Sequence, residues 1–216
     1  ELLLGFAAGH DFVKGIVGWV DLCSSAVSEK LAYYKQFPLI KGFRHILQGE
    51  EDRAFMLKDS FLQGVSKLAE HGFTYDILIY ADQIKYLHEF VASFPKQSFI
   101  IDHMAKPQIA SQKISDWNNE LFMLSNFGNV YCKVSGMVTE ADWKNWKDED
   151  IIPYIDTVVN AFGPHRIVFG SDWPVCLVAA SYDRTVRIVR DYFARFTEDE
   201  QLLFFGGNAA RFYNIE

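Results

Sequence analysis

Short runs rich in Val, Ile and Phe recur along the chain, and the stretches between them carry apolar residues at helical spacing. The runs Gly15–Leu22, Ile40–Leu47, Tyr75–Tyr80, Ser98–Met104, Val130–Ser135 and Arg166–Gly170 predict strands. Their starts lie roughly thirty residues apart, the pitch of a βαβ unit. Ser28 opens a helical segment at Ser28-Glu29-Lys30-Leu31, and Asp82 is placed to cap a helix over Gln83–Ser93 before Pro95 forbids its continuation. Asp150 is placed to cap Ile151–Phe162, which Gly163-Pro164 closes, with Ile152, Ile155, Val158, Val159 and Phe162 as its apolar stripe. The near-continuous apolar runs Phe99-Ile100-Ile101 and Ile167-Val168-Phe169 suit a parallel sheet covered on both faces. No linker or low-complexity tract divides the chain, so residues 1–216 are expected to form a single domain.

Alternating strands and helices build either an open doubly wound sheet or a closed barrel. The polar residues at the strand ends favour the barrel. Arg44-His45, Asp102-His103, Ser135-Gly136 and Ser171-Asp172-Trp173 would stand in a row along an open sheet, whereas in a barrel they face one another across one mouth. Neither G-x-G-x-x-G nor G-x-x-x-x-G-K-[ST] occurs, which removes the usual signatures of a nucleotide-binding open sheet. The expected fold class is therefore α/β, a distorted (β/α)8 TIM barrel. A complete barrel needs eight strands and six are legible, while Glu1–His10 reads as a helix that began earlier. Two βα units are thus expected to precede the chain; the alternative is a six-strand sheet complete as it stands.

The composition is that of a water-soluble globular protein, with 50% apolar residues and a formal charge of -7. The basic residues are scattered singly, which argues against nucleic acid as a partner. No apolar run approaches the ~20 residues of a membrane helix, and no signal-peptide pattern opens the chain, so a cytoplasmic protein without a membrane partner is expected. Cys23, Cys132 and Cys176 lack any C-x-x-C spacing and read as reduced, mostly buried thiols. Whether the chain forms a homo-oligomer stays open.

Asp172, where Val168-Phe169-Gly170-Ser171-Asp172-Trp173-Pro174 turns from strand to loop, can accept a proton from water, bind a divalent cation, or simply cap the loop backbone. Strand alternation sends Asp102 and His103 to opposite faces, and His103 is taken as the inward one, able to ligate a metal or donate to a carbonyl oxygen. Arg44 and His45 offer a guanidinium fork and an imidazole to an oxygen-rich substrate; for Arg44 an ion pair outside the barrel is the alternative. Lys106, Ser135 and Trp173 lie at or just past strand ends within reach of substrate hydroxyls, with solvated loop positions as the alternative for Lys106 and Ser135. His10, His71, His88 and His165 have no partner at metal spacing. The Trp143-Lys144-Asn145-Trp146 cluster is either a lid over the mouth or the packing of a long loop.

Taken together, G-F-R-H at 42–45, D-H-M-A-K-P at 102–107, Y-C-K-V-S-G at 131–136, F-G-S-D-W-P at 169–174 and G-G-N-A-A-R-F-Y at 206–213 make the chain resemble the amidohydrolase-2 branch of the amidohydrolase superfamily. Within it, the resemblance is to sugar-lactone hydrolases of the L-fuconolactonase and L-rhamnonolactonase type. It implies a barrel with its site at the C-terminal mouth, and hydrolysis of a cyclic ester, a small-molecule sugar lactone. It gives Asp172 the role of the last-strand aspartate that deprotonates water and can ligate a metal, His103 that of the sixth-strand histidine, and Arg44 and His45 places near the substrate's oxygens. A single zinc ion held in part by Asp172 and His103, or metal-free catalysis, both fit the resemblance. The H-x-H pair of the family's first strand is absent from these residues, and Tyr80 stands where a bridging lysine would serve a second metal. Other reactions on the same scaffold, such as decarboxylation or amide hydrolysis, and a non-catalytic sugar-binding barrel are the alternatives.

Overall fold

A computed structural model of the chain describes residues 2–215. Glu1, the first residue of the helix expected over Glu1–His10, lies outside the described residues; helix α1 spans Leu2–Ala7. There follow β1 (Ile16–Gly18), α2 (Val27–Tyr34), β2 (Ile40–His45), α3 (Asp59–His71), β3 (Thr74–Ile77), α4 (Leu87–Ala92), β4 (Phe99–Ile101), α5 (Ser115–Ser125), β5 (Val130–Val134), α6 (Asp148–Phe162), β6 (Ile167–Phe169), α7 (Tyr182–Phe193), α8 (Glu198–Leu202) and α9 (Asn208–Phe212). Among the described residues the six strands form one parallel sheet in the order of the chain, β1 to β6, and β6 does not pair with β1. That is an arc of a barrel wall. No helix among the described residues is long and apolar enough to cross a membrane.

The sheet has two unlike faces, and strand alternation explains both. Phe43, Tyr75, Ile77, Phe99, Ile101, Val130, Cys132, Val134 and Ile167 point outward into the main core, which the helices complete with residues such as Leu31, Phe61, Leu68, Phe90, Leu121 and Ile155. The alternate residues line the concave face. Ile100 and Val168 pack there with Phe212 of α9 in a second small apolar cluster, so the apolar run of β4 is buried on both sides as expected. The concave face also carries charges: Arg44 stands opposite Asp76 in the register of β2 and β3, and Lys133 of β5 lies beside Val168 of β6.

The strands are shorter than the sequence pattern predicts, because ladder pairing stops where the chain turns into the loops of the mouth while the flanking apolar residues stay buried. Leu78 and Ile79 after β3 are examples. Capping also differs. Asp82 caps nothing; residues Ala81–Tyr86 form tight 3₁₀ turns, and the Asp82 carboxylate takes two hydrogen bonds from Arg53, at 2.8 and 2.7 Å. A bidentate guanidinium outcompetes a single backbone amide. Asp150 is the third residue of α6, not its cap, and accepts the Lys147 N–H at 2.8 Å. α2 starts at Val27, and Ser28 meets the His71 ring across α2 and α3 at 3.3 Å.

Candidate active site

The loops after β4, β5 and β6 bring His103, Ser135 and Asp172 together at the C-terminal end of the sheet. Ladder pairing of β4 ends at Ile101, in register with Cys132. Asp102 continues the concave direction of Ile100, and it is Asp102, not His103, that strand alternation points inward. His103 reaches the mouth by another route: His103, Met104, Ala105 and Lys106 all adopt left-handed backbone, with φ of 52, 54, 58 and 50°. Each such residue costs about 1–2 kcal/mol in isolation. Contacts on every side hold the turn in place. Met104 and Ala105 are fully buried, and the Trp117 indole N–H donates to the Met104 carbonyl at 2.7 Å. A period-two reading could not have found this turn, since nothing in D-H-M-A-K-P is glycine.

The His103 Nδ1 lies 2.8 Å from the Ser135 hydroxyl, and Nε2 lies 3.7 Å from Asp172 Oδ1. His103 and Asp172 each keep 13% of their side-chain surface, so both are reachable from the mouth yet largely stripped of water. Asp172 itself sits in the left-handed region at φ 56°. Burial holds the His103 ring below its ordinary value against the pull of Asp102 and Asp172, which favours neutral imidazole. Ser135 is buried, with its hydroxyl on His103 and not on the rim.

Beneath this trio runs a chain of alternating charges that the sequence reading missed. Arg44 Nη1 donates to Asp102 Oδ2 at 2.9 Å, and Lys133 Nζ donates to Asp102 Oδ1 at 2.6 Å and to Asp76 Oδ2 at 3.0 Å. The Tyr213 hydroxyl donates to the same Asp76 oxygen at 2.7 Å. Burial pushes the Asp102 carboxyl up, but Lys133, His103 and Arg44 overcome it and leave it below its ordinary value. For Asp76 burial wins over Lys133 and the carboxyl stays raised. Lys133, which burial alone would neutralise, is kept charged by Asp76 and Asp102. The signal was present: Asp76 and Lys133 are charges in the middle of otherwise apolar strands, a placement that needs an opposite partner on the same face. Arg44 is therefore on the concave face and not in an ion pair outside the barrel. Its 41% exposed side chain leaves part of the guanidinium open to the mouth.

The other expected site residues are differently engaged, and His45, one residue past the inward Arg44, faces the helices, with its ring against Phe55 and Phe61. His45 Nε2 lies 2.7 Å from Glu50, and the ring stacks on Phe55 at 5.3 Å between centroids. Lys106 donates to Glu140 at 3.0 Å and lies 5.3 Å over the Tyr80 ring, so it is paired and largely buried. Trp173, beside Asp172, is 63% exposed. Of the Trp143–Trp146 cluster, Trp146 packs inward with its N–H on Ala179 and Arg184 stacked 3.7 Å over its ring, whereas Trp143 is exposed. Loop packing, not a lid, describes Trp146. Cys132 and Cys176 are buried and Cys23 is exposed.

His103 and Asp172 are two donors, while a catalytic zinc takes about three protein ligands. Among the described residues no three His, Cys, Asp or Glu side chains converge to complete such a set. His103 Nδ1 is already committed to Ser135. These residues do not by themselves make a metal centre.

The chain is similar to known proteins along nearly its whole length. An L-fucono-1,5-lactonase from Burkholderia multivorans is 37% identical over 224 residues, covering 99% of this chain and 75% of the relative. A second L-fucono-1,5-lactonase, from Burkholderia ambifaria, is 32% identical over 221 residues, with 99% and 75% covered. The crystal structure of an amidohydrolase from Burkholderia multivorans with bound zinc superimposes with a TM-score of 0.95 at 36% identity, over 100% of this chain and 78% of that one. The amidohydrolase family model matches residues 2–215, from the first described helix through β6 and α9. A parallel arc with its polar strand ends gathered at one mouth, in a sequence that fits the family model along its length, places this chain in the amidohydrolase family.

Proposed function

We propose that this protein hydrolyses a sugar lactone, the cyclic ester of an aldonic acid such as L-fucono- or L-rhamnono-lactone. The observation that carries this reading is the 3.7 Å approach of His103 Nε2 to Asp172 Oδ1 at the mouth, two proton-handling groups facing one small space. The likeness to two L-fucono-1,5-lactonases supports the choice of substrate class.

In this reading water attacks the lactone carbonyl carbon and Asp172 takes its proton. The Ser135 hydroxyl donates to Nδ1 of neutral His103, which fixes the proton on Nε2, and that N–H stabilises the developing oxyanion. When the tetrahedral intermediate collapses, the bond to the ring oxygen breaks and Asp172 returns the proton to the departing alkoxide, leaving a hydroxy acid. The open part of the Arg44 guanidinium, with Lys106 and Trp173 around the mouth, orients the hydroxyl-rich ring. In this reading His45 takes no part in proton transfer, because its ring packs against Phe55 and Phe61 on the helix side of the sheet. An ester oxygen leaves readily, so this set of groups suffices without a step routed through a metal. If a divalent cation such as zinc binds, His103 and Asp172 are the ligands this chain's described residues would contribute.

Acid release from a panel of aldonolactones, followed with a pH indicator, tests the reading. Turnover of at least one L-sugar lactone is expected. Failure on every aldonolactone, with turnover of an amide or of a carboxylated aromatic instead, would overturn it.

A further inference from the structure

Lys133 touches both Asp76 and Asp102, and its surroundings connect it to both halves of the site above. Through Asp102, 2.6 Å away, it holds the residue from which the left-handed His103–Lys106 turn departs. Its aliphatic stem also lies directly under the end of β6. A Cβ on Gly170, two residues before Asp172, would stand 3.3 Å from Lys133 Cγ and Cδ and 2.9 Å from Ser135 Cβ. The ammonium donates to both Asp76 and Asp102, whose carboxylates are 1% and 0% exposed, so two of its three N–H groups are held by buried counter-ions. Tyr213 closes the far end of this chain on Asp76, while its neighbour Phe212 packs on Ile100 and Val168. The closing G-G-N-A-A-R-F-Y segment is thereby tied to the site: Asn208 donates to the carbonyls of Pro164 and Ile167 at the start of β6, and Tyr213 donates to the charged chain that ends beneath His103.

We propose that Lys133 is a positioning residue that sets the distance between His103 and Asp172, acting through Asp102 on one side and the Gly170 strand end on the other. This rests on the lactonase reading for its kinetic arm only. A buried cation shared by two carboxylates has few alternative geometries, because moving it leaves one of them unpaired in a dry environment. Its influence is therefore on placement, and substrate binding should be spared.

The test uses the full-length protein carrying Lys133→Met together with Asp76→Asn, which removes one charge of each sign. The readouts are kcat and KM on an aldonolactone and the ¹⁵N signals of the His103 ring at fixed pH. The expected result is a fall in kcat of about a hundredfold, the scale of a misplaced catalytic group, with KM unchanged, and a displaced or doubled His103 ring signal. An unchanged kcat with an unchanged ring signal overturns the proposal, and so does a KM that rises with kcat held, which would make Lys133 a substrate contact. If wild type turns over no lactone, the proposed function fails while the ring signal still decides the role of Lys133. If the double variant does not fold, Tyr213→Phe, which deletes one hydroxyl, replaces it. A loss of about tenfold in kcat at constant KM is expected there, and no loss overturns the proposal.

Discussion

Gly136 passes so close to His103 that a Cβ added to it would stand 2.8 Å from the His103 Cβ and 2.9 Å from Cγ, and its backbone is left-handed at φ 66°. The glycine lets the loop after β5 slide under the imidazole and carry Ser135 to its Nδ1. Gly136→Ala should destabilise the fold by about 1–3 kcal/mol through backbone strain and displace the ring. Urea unfolding would read the first effect and lactone turnover the second. A variant of unchanged midpoint and unchanged rate would contradict the packing described.

Asp172→Asn removes the proton acceptor while keeping the shape of the side chain. Lactone hydrolysis should fall by about 10²–10⁴-fold, with substrate still bound. Equilibrium binding of an unreactive aldonate alongside kinetics separates the two effects. Retained turnover would assign the base to another group.

The pH dependence follows from His103. Burial lowers its folded-state value below the ordinary 6.5, so between those two values the unfolded chain binds the extra proton and the folded chain does not. The contribution of His103 to stability is complete above 6.5 and is lost as the pH falls through the lowered value. Activity that needs the neutral ring should likewise persist below pH 6.5 and decline only at more acid pH. Rate profiles and thermal unfolding between pH 4 and 8 (about four units spanning the ordinary value) check this, and a decline centred above 6.5 would refute it.

The thiols should separate cleanly. Burial pushes Cys132 far above its ordinary value, and Cys176 is fully buried, whereas Cys23 is exposed. Brief treatment of the native protein with iodoacetamide, followed by peptide mass spectrometry, should find Cys23 modified and Cys132 and Cys176 intact. Equal labelling of all three would mean that the core of the sheet opens readily.

Much of the fold was legible in the chain itself. The spacing of the apolar runs located all six strands, because a strand buried on both faces must be apolar nearly throughout, and it located the helices after the first, third and fifth of them, while those over Asp59–His71, Ser115–Ser125 and Tyr182–Phe193 came only with the structure. The polar residues at the strand ends pointed to the mouth, and His103, Ser135 and Asp172 were named there together with Arg44, His45, Lys106 and Trp173. Asp76, Asp102, Lys133 and Tyr213 were equally visible as charges or hydroxyls in apolar surroundings, yet their partners were not, since they come from β2, β3, β5 and the residues just after β4 and α9 and meet only across the arc.

Sequence alone therefore determined the strands, the alternation of strand and helix and the chemical groups gathered at the strand ends, consequences of local periodicity and of the cost of burying polar atoms. Tertiary structure decided the rest. His103 arrives at Asp172 through a left-handed turn that no local preference would choose, and Ser135 turns inward to hold it because glycines at 136 and 170 leave room. Asp102 and Lys133 remain charged only because distant strands supply each with its counter-ion. Each of these depends on the energy of contacts between segments far apart in the chain, which no window along the sequence contains.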